Sequence, residues 1–262
     1  MKITAIVENT SCRPEVRPEH GLSLLVETGS RKLLFDAGQT DLVLKNAQAL
    51  DIDLTSVDTV VLSHGHYDHG GGLLPFLEVN RQARIYASDL CFGDFYNGSE
   101  KYIGLDPRLR DCSRIIPVPE IRSLGQGLTL YPGRMVSTPR KVESWGLNRK
   151  LGSRMLPDLF LHEQYLLVEE EGKRILFSGC SHRGILNIAE HFKPDILIGG
   201  FHFKKLDVQK DQAFLTQAGE ALLALPTRYY TCHCTGTAQY DFLKEIMGDR
   251  ISYLSAGTTL EV

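Results

Sequence analysis

Ten consecutive residues, Ser63-His64-Gly65-His66-Tyr67-Asp68-His69-Gly70-Gly71-Gly72, constrain the fold of this chain more than any other feature. They follow Val57–Leu62, an apolar, β-branched run of buried-strand length. Three imidazoles and a carboxylate within six positions are costly to bury unless they are paired or hold a cation. Gly65 and the Gly70–Gly72 run let the main chain curl, so that alternate side chains converge. His64-x-His66 then offers two nitrogens to one cation. Asp68-His69 offers an oxygen and a nitrogen to a second cation a few ångströms away. A chance polar loop is the plainer alternative, and the density of donors argues against it.

Around this cluster the chain alternates short apolar runs with helical periodicity. Leu22–Glu27 and Lys32–Phe35 flank the turn Thr28-Gly29-Ser30-Arg31, a predicted hairpin. Helices are predicted over Asp41–Leu50 and Leu73–Val79, and a strand over Arg84–Ala87. The last third repeats the rhythm. Strands are expected at Tyr165–Glu169, Arg174–Phe177, Asp195–Ile198, Tyr229–Thr231 and Ile251–Leu254. Helices are expected at Gly184–His191, Asp211–Ala224 and Tyr240–Met247. Two strand-and-helix halves imply an α/β protein with helices on its sheet faces. Between them, Lys101–Arg154 carries eleven Lys/Arg against four acids and is rich in Gly and Pro. It reads as a basic, loop-rich insertion in a single domain covering residues 1–262.

Composition narrows the function. A formal net charge of −3 argues against a general nucleic-acid binder. The longest apolar runs are too short to cross a bilayer, and the first residues have no signal-peptide core. Six cysteines without a C-x-x-C pair fit free thiols in a reducing compartment, so a cytoplasmic protein is expected. Ile251–Val262 is either an edge strand or a contact for a second copy.

His64-Gly65-His66-Tyr67-Asp68-His69 resembles the H-x-H-x-D-H signature of the metallo-β-lactamase superfamily. Phe35-Asp36-Ala37-Gly38 resembles that family's strand-ending aspartate motif, which braces the metal loop. Lys173–Gly179 with Cys180 resembles the strand that delivers a bridging ligand. Tyr230-Thr231-Cys232-His233-Cys234-Thr235-Gly236 resembles the late strand that supplies a last histidine. The resemblance implies an αββα sandwich of two mixed sheets flanked by helices. It further implies two divalent ions, zinc most expected and manganese or iron also suited, held by His64, His66, Asp68, His69, Cys180 and His233. The family's usual G-H-T-x-G stretch is absent. His182, two residues past Cys180, is the favoured replacement ligand. His162 is the other candidate, with an exposed or locally paired histidine as its plainer reading. Val7-Glu8-Asn9-Thr10, Gly179-Cys180-Ser181-His182, Gly199-Gly200-Phe201-His202 and Cys232–Gly236 look like one branch, related to dihydropterin-ribofuranosyl-aminobenzene-phosphate synthases.

A two-ion site of this kind turns water into a nucleophile near neutral pH, so hydrolysis of an ester, lactone, amide or phosphoester is expected, with Asp68 orienting the nucleophile. His202, after the paired glycines Gly199-Gly200, is expected to bind substrate or donate a proton; the glycines suggest main chain close to a ligand. Cys180 is a metal-facing thiolate or merely packed. Glu163 either orients a ligating imidazole or pairs at the surface. His20 and His191 read as structural or surface residues. The basic segment, with Trp145, Arg140 and Arg149 as substrate contacts, suits a small phosphorylated, ring-bearing anion such as a pterin or nucleotide; a solvated basic face is the alternative. Three rival readings remain: an iron redox enzyme, a non-catalytic metal-binding module, and a synthase-type condensation.

Overall fold

A computed structural model describes residues 1–262, and in it two seven-stranded sheets pack face to face. The first runs, in spatial order, Thr259–Glu261, Lys2–Val7, Ser23–Glu27, Lys32–Phe35, Thr59–Leu62, Arg84–Ser88 and Ile115–Val118. The second runs Ile251–Tyr253, Arg228–Thr231, Ile196–Gly199, Lys173–Ser178, Gln164–Glu170, Leu128–Pro132 and Arg122–Gly125. Both sheets are mixed. Each begins its site-bearing part with an antiparallel hairpin (Leu24 opposite Phe35; Leu166 opposite Phe177) and continues in parallel strands.

The expected layering is what the structure has. Alternating inward side chains, among them Leu24, Phe35, Val61, Leu130, Leu166 and Phe177, form the core between the sheets. Opposite faces bury Val60, Ile85 and Leu34 under the helices Leu42–Ala49 and Leu73–Val79. In the second half Leu176, Leu197 and Tyr229 lie under Ile185–Phe192, Gln212–Leu223 and Thr237–Met247. The parallel strands are therefore apolar on both faces, which is why they read as continuous hydrophobic runs.

One expectation needs correction. Lys101–Arg154 is not chiefly loop: Ile115–Val118 extends the first sheet, and Arg122–Gly125 and Leu128–Pro132 extend the second. Asp94–Asn97, Lys101–Tyr102, Leu147–Leu151 and Arg154–Pro157 form a third, four-stranded sheet. These strands are short and mostly exposed, with only Phe95, Ile103, Leu147 and Phe160 making a small core, so little hydrophobic alternation marks them. The end of the chain supplies two edge strands, one per sheet, and Thr259–Glu261 pairs with Lys2–Val7. No helix is long and apolar enough to cross a membrane.

Candidate metal centre

Five turns at the carboxyl ends of neighbouring strands converge at one edge of the sandwich. Asp36 follows Lys32–Phe35, His64 follows Thr59–Leu62, and Cys180 follows Lys173–Ser178. His202 follows Ile196–Gly199, and His233 follows Arg228–Thr231. Asp36, Ser181, His202 and His233 all have positive φ, from +51° to +58°, so the main chain turns sharply exactly where these side chains are presented. A Cβ on Gly65 would collide with the carbonyl of Cys91, and one on Gly72 with that of Ala37, so only glycine permits the tight path of the His64–Gly72 loop.

Asp36 is the brace. Its fully buried carboxylate accepts from the Ser63 N–H at 2.7 Å and from the Ser63 hydroxyl at 2.6 Å, and lies 2.6 Å from His69 Nδ1. With Nδ1 occupied, His69 turns Nε2 toward Cys180 Sγ, 3.2 Å away. Across the cleft His64 Nε2 faces His182 Nε2 at 3.3 Å. Asp68 Oδ2 stands 3.3 Å from His233 Nε2 and 3.2 Å from His20 Nε2.

These separations test whether cations fit. Donor atoms about 2.0–2.3 Å from a shared ion stand roughly 3–3.5 Å from each other. Two imidazole nitrogens facing at 3.3 Å share one proton at most, and the buried Nε2 of His66 has no hydrogen-bond partner. An ion relieves both conditions. The ligand atoms of His64, His66 and His182 lie within 4.8 Å of one another, as do those of His64, His69 and Cys180, and those of His20, Asp68 and His233. The residues present can therefore hold divalent ions.

The electrostatics of three imidazoles agree. Burial, reinforced by the neighbouring imidazoles, holds His64 and His182 well below the usual histidine range. His66 falls to about 3, through burial and then His162 beside it. Neutral imidazoles are the form that binds a cation. Burial would also lower His69, but the Asp36 and Asp68 carboxylates outweigh it and lift it to about 9. Burial raises the Asp68 carboxyl, yet His69, His20 and His233 together carry it well below its ordinary value. Burial pushes the Cys180 thiol up, so it needs a cation alongside to become thiolate.

Around this centre the expectations divide. His182 reaches the cluster, stacked on Phe160 with centroids 4.3 Å apart. His162 is buried rather than exposed and has both nitrogens in use: Nδ1 accepts from the Gly65 N–H at 3.0 Å and Nε2 meets Asp158 at 3.0 Å. Glu163 orients main chain instead of an imidazole, accepting from the His182 N–H at 2.8 Å and the Arg183 N–H at 3.2 Å. Of the glycines before His202, Gly199 packs on Ser178 and Gly200 on Cys234. His202 itself sits 4.3 Å from the His182 ring, with both nitrogens buried and unpartnered. His191 stays at the surface as expected. His20 is exposed as well, yet its ring joins Asp68 and His233, though no spacing in the sequence signals this.

The cleft encloses about 170 Å³ and is bordered by Lys101, Lys204 and Lys205 as well as the histidines. Three of the eight arginines of the basic segment pair with carboxylates, Arg108 with Asp106, Arg134 with Asp89 and Arg140 with Glu190. Trp145 and Arg140 line an adjoining cavity, and Arg149 a separate one against Asp158 and His162.

Two sheets with helices outside and a histidine-rich cleft at the strand ends define a class of four-layered metal-centre proteins. The chain belongs to the metallo-beta-lactamase superfamily, whose family model matches residues 16–213. It is 31% identical to Tm1679, a metal-dependent hydrolase of the beta-lactamase superfamily, and superposes on its crystal structure with a TM-score of 0.84 over 100% of this chain and 99% of that one. Uncharacterized protein MJ0448 of Methanocaldococcus jannaschii is 29% identical, over 89% of this chain and 90% of its own. The 7,8-dihydropterin-6-methyl-4-(beta-D-ribofuranosyl)-aminobenzene-5'-phosphate synthase of the same organism is 28% identical, over 93% of this chain and 90% of its own. Zn(2+)-bound PqqB from Methylobacterium extorquens shares the fold, with a TM-score of 0.57 at 17% identity.

Proposed function

We propose that this chain is a metal-dependent hydrolase of a small anionic, phosphorylated and ring-bearing substrate, working through two divalent ions, zinc first among them. One observation carries the reading: three far-apart stretches, His64–His69, Cys180–His182 and His233, bring donor atoms to 3.2–3.3 Å of one another, with His64 Nε2 against His182 Nε2 as the clearest case. His64, His66 and His182 would hold one ion; Asp68 and His233 would hold a second, with His69 and Cys180 beside both sets. Bound ions supply Lewis acidity and generate a nucleophile from water at neutral pH. The chain's own groups do the rest. Asp36 fixes the His69 ring through Nδ1. Asp68 holds the nucleophile's position, and Lys101 and Lys204 at the cleft border attract the anion. His202, without a partner on either nitrogen, is placed to meet substrate. All six cysteines are unpaired, which supports a reducing, cytoplasmic setting.

The test is metal analysis beside a panel of phosphomonoesters, phosphodiesters and lactones. Two equivalents of metal and phosphoester turnover that disappears in His66→Ala are expected. Turnover of lactones alone would remove the phosphorylated substrate from the reading.

The synthase relative favours a second reading, a condensation on a pterin diphosphate. Joining of a dihydropterin-6-methyl diphosphate to a ribofuranosyl-aminobenzene 5′-phosphate with release of diphosphate, and with no phosphoester hydrolysis, would replace the first reading with this one.

A further inference from the structure

We propose that the cavity adjoining the metal cleft is a binding subsite for a flat, fused heteroaromatic ring, with Trp145 and Phe214, set edge-to-face at 77°, as its aromatic walls. The inference rests on reading the neighbouring cleft as the reactive centre. The cavity encloses about 270 Å³, and Arg140, Trp145, Phe201, Phe203 and Phe214 contribute to its lining. That is slightly below the size of a site for a whole drug-sized ligand and suits one ring system. His182 and His202 line both this cavity and the metal cleft. A ligand that fills both spaces therefore crosses the imidazoles at the reactive centre.

Three features point to a ring as the occupant. Trp145 has φ +52°, an outlier for so bulky a residue, and is held there by Lys205 Nζ, which donates to its carbonyl at 2.6 Å. Phe214, on the helix Gln212–Leu223, is 44% exposed although it lies beside Trp145 and Phe203, with centroids 6.4 and 5.8 Å away. An aromatic surface left open beside a charged cleft invites a stacking partner. Finally, both nitrogens of His202 are buried and unpartnered in the common wall. The Cys180 and Cys234 sulfurs lie within 4.8 Å of one of these nitrogens and leave the other for a hydrogen-bonding edge, which a heterocycle has and an acyl chain lacks. With Lys101 and Lys204 on the far side of that wall, the ligand carries its ring at one end and its anionic group at the other.

Trp145 is the chain's only tryptophan, so intrinsic fluorescence reports on this cavity directly. Guanosine 5′-monophosphate and neopterin monophosphate are the ring-bearing probes, with ribose 5-phosphate and octyl phosphate as ringless ones. Saturable quenching by at least one ring-bearing probe, and by neither ringless one, is expected. Phe214→Ala should weaken that affinity about tenfold, and Phe214→Tyr should restore it. Retained metal content in Phe214→Ala verifies its fold. Quenching by octyl phosphate equal to that of the rings, no quenching by either ring, or unchanged affinity in Phe214→Ala overturns the proposal. Ring binding without any hydrolysis would instead sink the hydrolase reading and leave the subsite standing.

Discussion

Asn9 Oδ1 lies 2.8 Å from His233 Nδ1, and two main-chain groups fix which way that amide points. The Gly21 N–H donates to Oδ1 at 3.3 Å, and Nδ2 donates to the His233 carbonyl at 3.4 Å. Oδ1 therefore takes the Nδ1 proton, and the Nε2 lone pair of His233 faces Asp68. Asn9→Ala is expected to weaken zinc binding about 10–100-fold, while Asn9→Asp, which keeps an acceptor, retains most of it. Competition against a chelator of known affinity measures this. Parental affinity in Asn9→Ala would mean that the ring is held by other contacts.

His182 and His162 make opposite predictions. His182→Ala should lose one equivalent of metal. His162→Ala should keep both, because His162 spends its nitrogens on Gly65 and Asp158. Elemental analysis of the two purified variants decides it, and the reverse pattern would exchange their roles.

Asp36→Ala leaves the Ser63 N–H, the Ser63 hydroxyl and the His69 Nδ1–H without their buried acceptor. A loss of about 3–5 kcal/mol in unfolding free energy is expected, as for breaking a buried charge pair. Urea denaturation with a chelator present separates this from metal loss. A change under about 1 kcal/mol would show that the brace is dispensable to the fold.

The lysines at the cleft border should act on binding more than on chemistry. Lys204→Ala and Lys101→Ala are each expected to raise KM for a phosphoester several-fold with a smaller change in kcat, and to flatten the dependence of kcat/KM on salt. An equal fall in kcat for both would place these lysines in the chemical step instead.

Chelation should abolish turnover and lower the midpoint of thermal unfolding, and two equivalents of zinc should restore both. Full recovery with a single equivalent would contradict a two-ion centre.

Much of this centre could be read before any coordinates, because its donors cluster. Four of them fall within His64–His69 at spacings that main-chain geometry brings together, and the others sit just past apolar strand-like runs. His20 could not be found this way. It reaches Asp68 from a segment with no helical or strand period, through the fold rather than through spacing. The third sheet stayed hidden because strands such as Leu147–Leu151 bury only one side chain each and so show no alternation. Charge counting cannot show which arginines are paired: Asp106, Asp89 and Glu190 take up Arg108, Arg134 and Arg140, and composition over a window carries no pairing.

The donors come from both sides of the sandwich: His64 to His69 hang from the first sheet, Cys180, His182 and His233 from the second. Neither half owns enough of them to capture both ions. Ion capture thus becomes a late event in the life of a newly made chain, waiting until the two halves have docked. On the proposed two-ion reading, a molecule whose sheets have not met holds an incomplete donor set and stays inactive.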